Sequence, residues 1–520
     1  MSPLVRALNS PLGRRALLRR STALALAAIA TPITSRIALG HPRFSDYPFQ
    51  LGVASGNPIA DGVVLWTRLA PTPLEGGGMP NETVPVRWVV ARDQRMIDVV
   101  QKGTAMAAPE HGHSVHVPLR GLSPDHWYFY QFIAGGEASP VGRTRTFPVI
   151  GSPKDRMRFA FCSCQNFYQG YFNSYRQMVQ DDLDLILTLG DYIYESTWGT
   201  QVRWHLPEPT DLAGYRNTHA LYKLDADLQR AHASVPWAMT WDDHEVDNDY
   251  AGLNQEDQDP VEAFTRRRAA AYKAYYEHMP LWPTSRPVDG DMRLYGSLTF
   301  GDLASFAVLD NRQYRSDQAC QGPSDFGGQN VPADCAERTD PTRSMLGQEQ
   351  ERWLLRSQLT PGGARWKVVA QQMLFSQMKQ GDKWWSDGWD GYPATRQRIV
   401  NHIADRQVQN AVIIGGDIHQ FWVSDVKKDF DDPASPVVAT EFIGSSISSG
   451  SGSWAERFLP ANPHIRYHDW RHRGYGRAEV THGGMKVDLV AMDSVADPNA
   501  GARVLKSYVV EAGQAGAKEA

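Results

Sequence analysis

The chain has 520 residues, of which 42% are hydrophobic and 21% charged, and its net charge is −5 at neutral pH. At about 150 residues per domain there is room for several domains and an ample core. This composition excludes a disordered chain, a coiled coil and a collagen-like fibre, and the lack of any long Lys/Arg block excludes a nucleic-acid binder that works through a basic surface.

Residues 1–30 carry Arg6, Arg14, Arg15, Arg19 and Arg20 and no acid. They end on the apolar run Ser21-Thr-Ala-Leu-Ala-Leu-Ala-Ala-Ile-Ala30. A run of about ten residues is too short to span a bilayer and suits the central part of a signal peptide. Arg14-Arg15 followed by Ala-Leu-Leu reads as a twin-arginine export signal. Residues 1–40 are therefore expected to be a signal peptide read by the twin-arginine export machinery, and the protein to be periplasmic or secreted. That route carries proteins already folded, often with a metal loaded, which favours a metal site. No other segment reaches the apolar length of a membrane span.

Residues 44–150 read as all-β. The runs at 84–90, 127–132 and 143–147 are β-branched, aromatic or alternating, and Gly121-Leu-Ser-Pro124 is a turn. A small N-terminal β-sandwich domain is expected, with 149–155 as a linker. From 157 to 505 short apolar runs alternate with stretches rich in helix formers. The runs lie at 158–162, 183–189, 237–241, 303–309, 366–370, 412–414 and 437–442; helical stretches include 261–279 and 348–358. That is an α/β domain around a buried sheet. Cys320 and Cys335 flank a polar Gly/Pro-rich loop and are expected to pair as a disulfide, as befits an oxidising compartment. Cys162 and Cys164 stand two apart on one strand, too far to pair easily.

Polar residues follow the apolar runs directly, and in α/β sheets the ligand crevice lies beyond the carboxyl ends of strands. Gly190-Asp191-Tyr-Ile-Tyr194 offers a carboxylate and a phenol, although alone it equally suits a capping Asp beside a core Tyr. Trp241-Asp-Asp-His-Glu-Val-Asp-Asn-Asp249 packs five carboxylates, a His and an Asn together. So many acids cannot all be buried uncompensated, so the run is either a solvated loop or a wall around cations. Gly415-Gly-Asp417-Ile-His419 adds an Asp and a His after another strand. Cys164 supplies a thiol, Arg312 a fork that matches phosphate oxygens, and Asp387 and Asp390 further carboxylates. Together these describe an oxygen-rich polynuclear site with one Cys, one Tyr and one His. Its expected chemistry is phosphoester hydrolysis, in which cations activate a water and neutralise a phosphoryl group.

The motifs resemble the PhoD-type alkaline phosphatases and phosphodiesterases. The likeness runs through 48–58, 61–71, Ser163-Cys-Gln165, Gly190-Asp-Tyr-Ile-Tyr-Glu195, Trp241-Asp-Asp-His-Glu245, Leu309-Asp-Asn-Arg-Gln-Tyr-Arg315, Trp389-Asp-Gly-Tyr-Pro393 and Gly416-Asp-Ile-His419. The resemblance implies a metallophosphatase-type α/β/α sandwich catalytic domain behind the small β domain, with Fe(III) and Ca(II) as cofactors. It implies Cys164, Asp191, Tyr194 and His419 as iron ligands, with Asp191 bridging to calcium. Asp243, Asp390 and Asp417 are the expected calcium-side ligands, and which of Asp387, Asp390, Asn248 and Asp249 completes that side is left open. His244 is expected as general acid or phosphate donor, and Arg312 as a catalytic phosphate contact. The chain departs from the family at Asn311, where Thr is frequent, and at Asp249, where Asn is common. The implied function is an exported alkaline phosphatase acting on small phosphomonoesters and phosphodiesters. The alternative is a phospholipase D-type phosphodiesterase acting on phospholipid. A non-catalytic binder is disfavoured, because every position of the site is filled.

Overall fold

A computed structural model describes residues 43–256, 260–322 and 327–520, and 43–520 form one compact unit. The expected signal segment lies outside the described residues. Among the described residues no helix is long and apolar enough to cross a membrane.

The region from Met157 onward is built on two sheets packed face to face. In the first, Met157–Cys162, Leu185–Leu189 and Trp237–Thr240 run parallel. In the second, Ala304–Val308, Trp366–Ala370, Ala411–Gly415 and Val437–Gly444 run parallel. Most residues of these strands are buried on both faces, which is why they read as near-continuous apolar runs. Phe159, Leu187, Phe306, Val368, Val412 and Phe442 belong to the shared core between the sheets. Helices cover both outer faces. Leu212–Lys223, Ala226–Ser234 and Val261–His278 lie on the first sheet, and Pro393–Asp405 lies on the second. The α/β class with helices outside holds, and its sheet layer is double.

The antiparallel additions at the edges left weaker traces in the sequence. Gly474–Val480, Gly484–Met492 and Ala502–Glu511 extend the first sheet on one side. Val53–Ile59, Gly62–Arg68 and Ser114–Leu119 extend it on the other. These last strands pack against a second layer that includes Val84–Ala91 and Trp127–Ala134, around Val63, Leu65, Val86, Val117 and Tyr130. The N-terminal β layers thus share their inner sheet with the catalytic region. Cys320 and Cys335 form the expected disulfide, while Cys162 and Cys164 are buried free thiols. Within the loop so closed, Asn330–Pro332 pairs with Lys383–Trp385.

The helical layer buries a cation. Lys223 is 1% exposed, and its ammonium lies 4.4 Å from the centre of the Trp66 ring and 5.2 Å from that of Tyr192. Burial pulls its pKa down from 10.5 to about 7. The neighbouring His219 and His232 are driven well below their usual range, first by burial and then by Lys223. Between about 7 and 10.5 the unfolded chain therefore binds a proton here that the folded chain does not, and stability rises with pH across that window. Lys223→Met removes the group that titrates. Its thermal midpoint should exceed that of the unsubstituted protein at pH 7, and the gap should close as pH approaches 10.5. A gap independent of pH would contradict the assignment.

Candidate metal centre

The parallel strands of both sheets end at the same rim. Cys164 follows Met157–Cys162, Asp191 and Tyr194 follow Leu185–Leu189, and Asp243 and His244 follow Trp237–Thr240. From the second sheet, Asp417 and His419 follow Ala411–Gly415. Two glycines let these turns approach. A Cβ on Gly190, whose φ is +103°, would lie 2.5 Å from the Asp242 Cβ, and one on Gly416 would lie 2.1 Å from the Ser163 Oγ. Cys164, Asp191, Asp417 and His419 themselves hold left-handed backbone, with φ of 59°, 55°, 66° and 54°. Such conformations are strained in non-glycine residues and persist only where their surroundings over-determine them.

Two donor groups form here and share one carboxylate. Ligand atoms of Cys164, Asp191 and His419 lie within 4.8 Å of one another, as do those of Asp191, Asp243 and His244. The Tyr194 phenol joins the first group, donating to the Asp191 Oδ2 at 2.9 Å and lying 3.2 Å from the His419 Nε2. Asp191 Oδ1 and Asp243 Oδ1 are buried with no hydrogen-bond partner among the described residues. A buried ionised oxygen left unpaired is costly, which makes these two the natural points for a cation. Asp417 and His419 are less covered and open onto a cavity of about 840 Å³.

The electrostatics describe an anionic cluster short of positive charge. Burial, with neighbouring Asp243 and Asp242, pushes the Asp191 carboxyl well up, and burial with Asp242 and Asp243 does the same to Asp417. The Cys164 thiol and the Tyr194 phenol are raised well above their usual values, by burial and then by Asp191. His419 is held down at about 3 by burial and by Arg473, so its imidazole is neutral and keeps a lone pair to donate. Burial alone would lower His244, yet Glu195, Asp243 and Asp191 outweigh it and raise it well above 6.5.

The other expected residues divide. Arg312 is fully buried; it binds Asp242 and both oxygens of Asp387, at 3.0 and 2.9 Å, and lies 3.4 Å from the Asp243 Oδ2. It therefore faces carboxylates and not the cavity. Asp387 is saturated by Arg312, Arg315 and Gln318. Asp390 belongs to neither donor group, since its oxygens bind the Arg396 Nη1 at 2.7 Å and the Met378 amide at 2.8 Å. The Asn248 amide is turned to Glu256. Asp249 lies beside the second group; its backbone amide donates to the Asp243 Oδ2, and its carboxyl is pushed well up by burial, then by Asp387 and Asp243.

Sequence reasoning gave no role to three supporting residues. The Glu195 Oε2 lies 2.8 Å from the His244 Nδ1, and the ring of His244 clusters with those of Tyr194 and Trp198, at 4.2 and 5.0 Å between centres. Glu245 accepts the backbone amides of Asp191, Tyr192 and Asp242, tying two strand-end turns together. The Ser449 hydroxyl lies 2.8 Å from both the Cys164 carbonyl and the Tyr194 phenol. Glu195 and Glu245 stand inside the quoted motifs, so proximity in sequence was the available signal. Ser449 is 30 residues beyond His419 and offered none.

The family model for PhoD-like phosphatases matches residues 159–489, and the model for their N-terminal domain matches 34–148. The chain belongs to the PhoD-like phosphatase family. It is 46% identical over 494 residues to alkaline phosphatase D of Bacillus subtilis (strain 168), covering 92% of this chain and 83% of that protein. The solved structure of PhoD superposes with a TM-score of 0.88 at 46% identity, over 92% of this chain and 93% of that one. The chain is thus a phosphatase, and the rim that gathers Cys164, Asp191, Tyr194, Asp243, His244, Asp417 and His419 lies within the matched catalytic segment.

Glu245 gives a stability test. Burial holds its carboxyl up at about 8, and Glu245→Ala would strand three backbone donors. At a cost of about 1–3 kcal/mol per unmade buried hydrogen bond, the unfolding free energy should fall by about 3 kcal/mol or more. Glu245→Gln, which keeps an acceptor, should lose less. Denaturant unfolding measures both, and equal losses would contradict the role.

Proposed function

We propose that the protein is an exported, metal-dependent alkaline phosphatase that hydrolyses phosphomonoesters and phosphodiesters by attack of water on phosphorus. The observation that carries this reading is the sharing of Asp191 between two donor groups, each with a buried carboxylate oxygen that lacks a partner. The donors fit the implied metals. A thiol, a phenol, an imidazole and a carboxylate suit Fe(III), which Cys164, Tyr194, His419 and Asp191 would hold. Carboxylates alone suit Ca(II), which Asp191, Asp243, Asp417 and Asp249 would hold. Asp249 is preferred to Asp387 and Asp390, whose oxygens are already engaged by arginines. When bound, such cations polarise a phosphoryl oxygen and increase the acidity of a water.

The chain's own groups do the rest. Glu195 fixes Nδ1 of His244, and the Trp198 ring stacked on it fixes its plane. The protonated imidazole so held gives its proton to the departing alcohol oxygen. Arg312 acts as a positioning residue, balancing Asp242, Asp243 and Asp387 so that they do not repel one another out of place. The disulfide and the twin-arginine pattern support export.

Asp191→Asn tests the reading, because a neutral amide cannot replace a bridging carboxylate. Elemental analysis of protein purified without added metal should find iron and calcium in the unsubstituted chain and a loss of both in the variant, with p-nitrophenyl phosphate hydrolysis at background. Cys164→Ser should lose iron while Cys162→Ser keeps it, since the Cys162 thiol packs against Tyr175 and Thr188. Near-normal turnover of Asp191→Asn, or equal iron loss in the two Cys variants, would overturn the assignment. Choline release from phosphatidylcholine without cleavage of nitrophenyl esters would favour the phospholipase D-type reading instead.

A further inference from the structure

Two cavities diverge from the rim. The larger, of about 840 Å³, reaches His419 and is bounded by Trp198, Trp470 and Arg473. The smaller, of about 400 Å³, reaches Asp249 and is bounded by Trp385, Met378 and Arg457. Both have the size of small-molecule sites. They share three residues, Asp417, Ile418 and Trp454, so Trp454 stands at their junction.

These indoles are held out of the core by the elements that build the centre. Trp454 is 38% exposed and Trp198 39%. The loop leading to Trp454 is tied to the centre through Ser449, through the Gly450 carbonyl at 2.7 Å from the His419 Nδ1, and through Gly452, which accepts from Gln420. Trp198 stacks on His244. Trp385 is fixed by its strand's pairing with Asn330–Pro332 inside the disulfide-closed loop. A phosphomonoester has one organic group and fills one cavity. A phosphodiester has two, and two cavities meeting at one phosphoryl position fit both.

We propose that, among phosphodiesters, the enzyme favours those with a planar retained group, such as an aryl or nucleoside ester, and that Trp385 and Trp454 are its specificity-determining residues. The inference rests on the phosphoester-hydrolase reading above. The leaving alcohol lies in the larger cavity against Trp198, whose ring stacks on His244. The retained ester group lies in the smaller one, between Trp385 and Trp454. Water adds to phosphorus and releases a proton to solvent. The P–O bond to the leaving alcohol breaks and its oxygen takes the His244 proton. A phosphomonoester carrying the retained group remains.

Three substrates with one leaving group separate the cavities: p-nitrophenyl phosphate, methyl p-nitrophenyl phosphate and thymidine 5′-(p-nitrophenyl) phosphate. The metal-loaded enzyme should prefer the thymidine diester to the methyl diester. In Trp385→Ala and Trp454→Ala the ratio of kcat/KM for the thymidine diester to that for the methyl diester should fall about tenfold, as expected for loss of one ring stack. Trp385→Phe should recover most of it. Turnover of the methyl diester reports folding in the same sample. Equal losses on both diesters, or an unchanged ratio, overturn the inference, as does an unsubstituted enzyme that cleaves only the monoester. Failure to cleave any of the three would instead defeat the hydrolase reading.

Discussion

Repulsion among buried carboxylates is the constraint on which the rim of strand ends depends. Asp191, Asp242, Asp243, Glu245 and Asp387 are each no more than 2% exposed and crowd the ends of neighbouring strands. Protein charges compensate the cluster unevenly. Arg312 and Arg315 take Asp242 and Asp387, while Glu245 is met by three backbone amides. Asp191, Asp242 and Asp243 still each keep an oxygen with no hydrogen-bond partner among the described residues. Removing either arginine would therefore disturb more than one acid, because the cluster is balanced as a unit.

The same rim holds backbone strain. Four residues with donor side chains adopt left-handed conformations, at a cost of order 1–3 kcal/mol each. The strain turns each side chain away from the alternation of its strand and toward the others. Cys162 and Cys164 make the effect visible, since two residues apart on a regular strand they would share a face. The turn at Cys164 instead sends its thiol to the rim, while Cys162 stays among Tyr175 and Thr188 in the core. The turns are held by the Glu245, Ser449 and Gly450 hydrogen bonds, so support and strain lie in one connected network.

The sequence made the parallel strands and the acids that follow them legible. Residues 183–189 and 412–414 are apolar because both faces of their strands are buried, and that pattern needs no tertiary knowledge to read. The edge strands were less visible: Ala502–Glu511 is largely half-exposed and lacks such a run. At the rim, donor types were readable but their partners were not. Arg312 looked like a phosphate contact because its fork suits one, yet three carboxylates brought by Trp237–Thr240 and the Asp387 loop claim it. Asp390 was drawn to Arg396 and Asp249 to the rim by the fold alone, as neither spacing distinguishes them.

What a sequence hides most is the division of labour between strand ends and loops. The donors sit within a few residues of buried parallel strands, where packing fixes them to the sheets. Trp198, Trp385 and Trp454 sit on segments tied down by side-chain hydrogen bonds, a two-stranded ribbon and a disulfide. Loops of this kind can change without moving the strands beneath them. A rigid donor set beneath adjustable aromatic walls can keep its geometry while the cavities above it change. Family membership therefore speaks for the strand ends, and the walls of the two cavities have to be read from this chain's own residues.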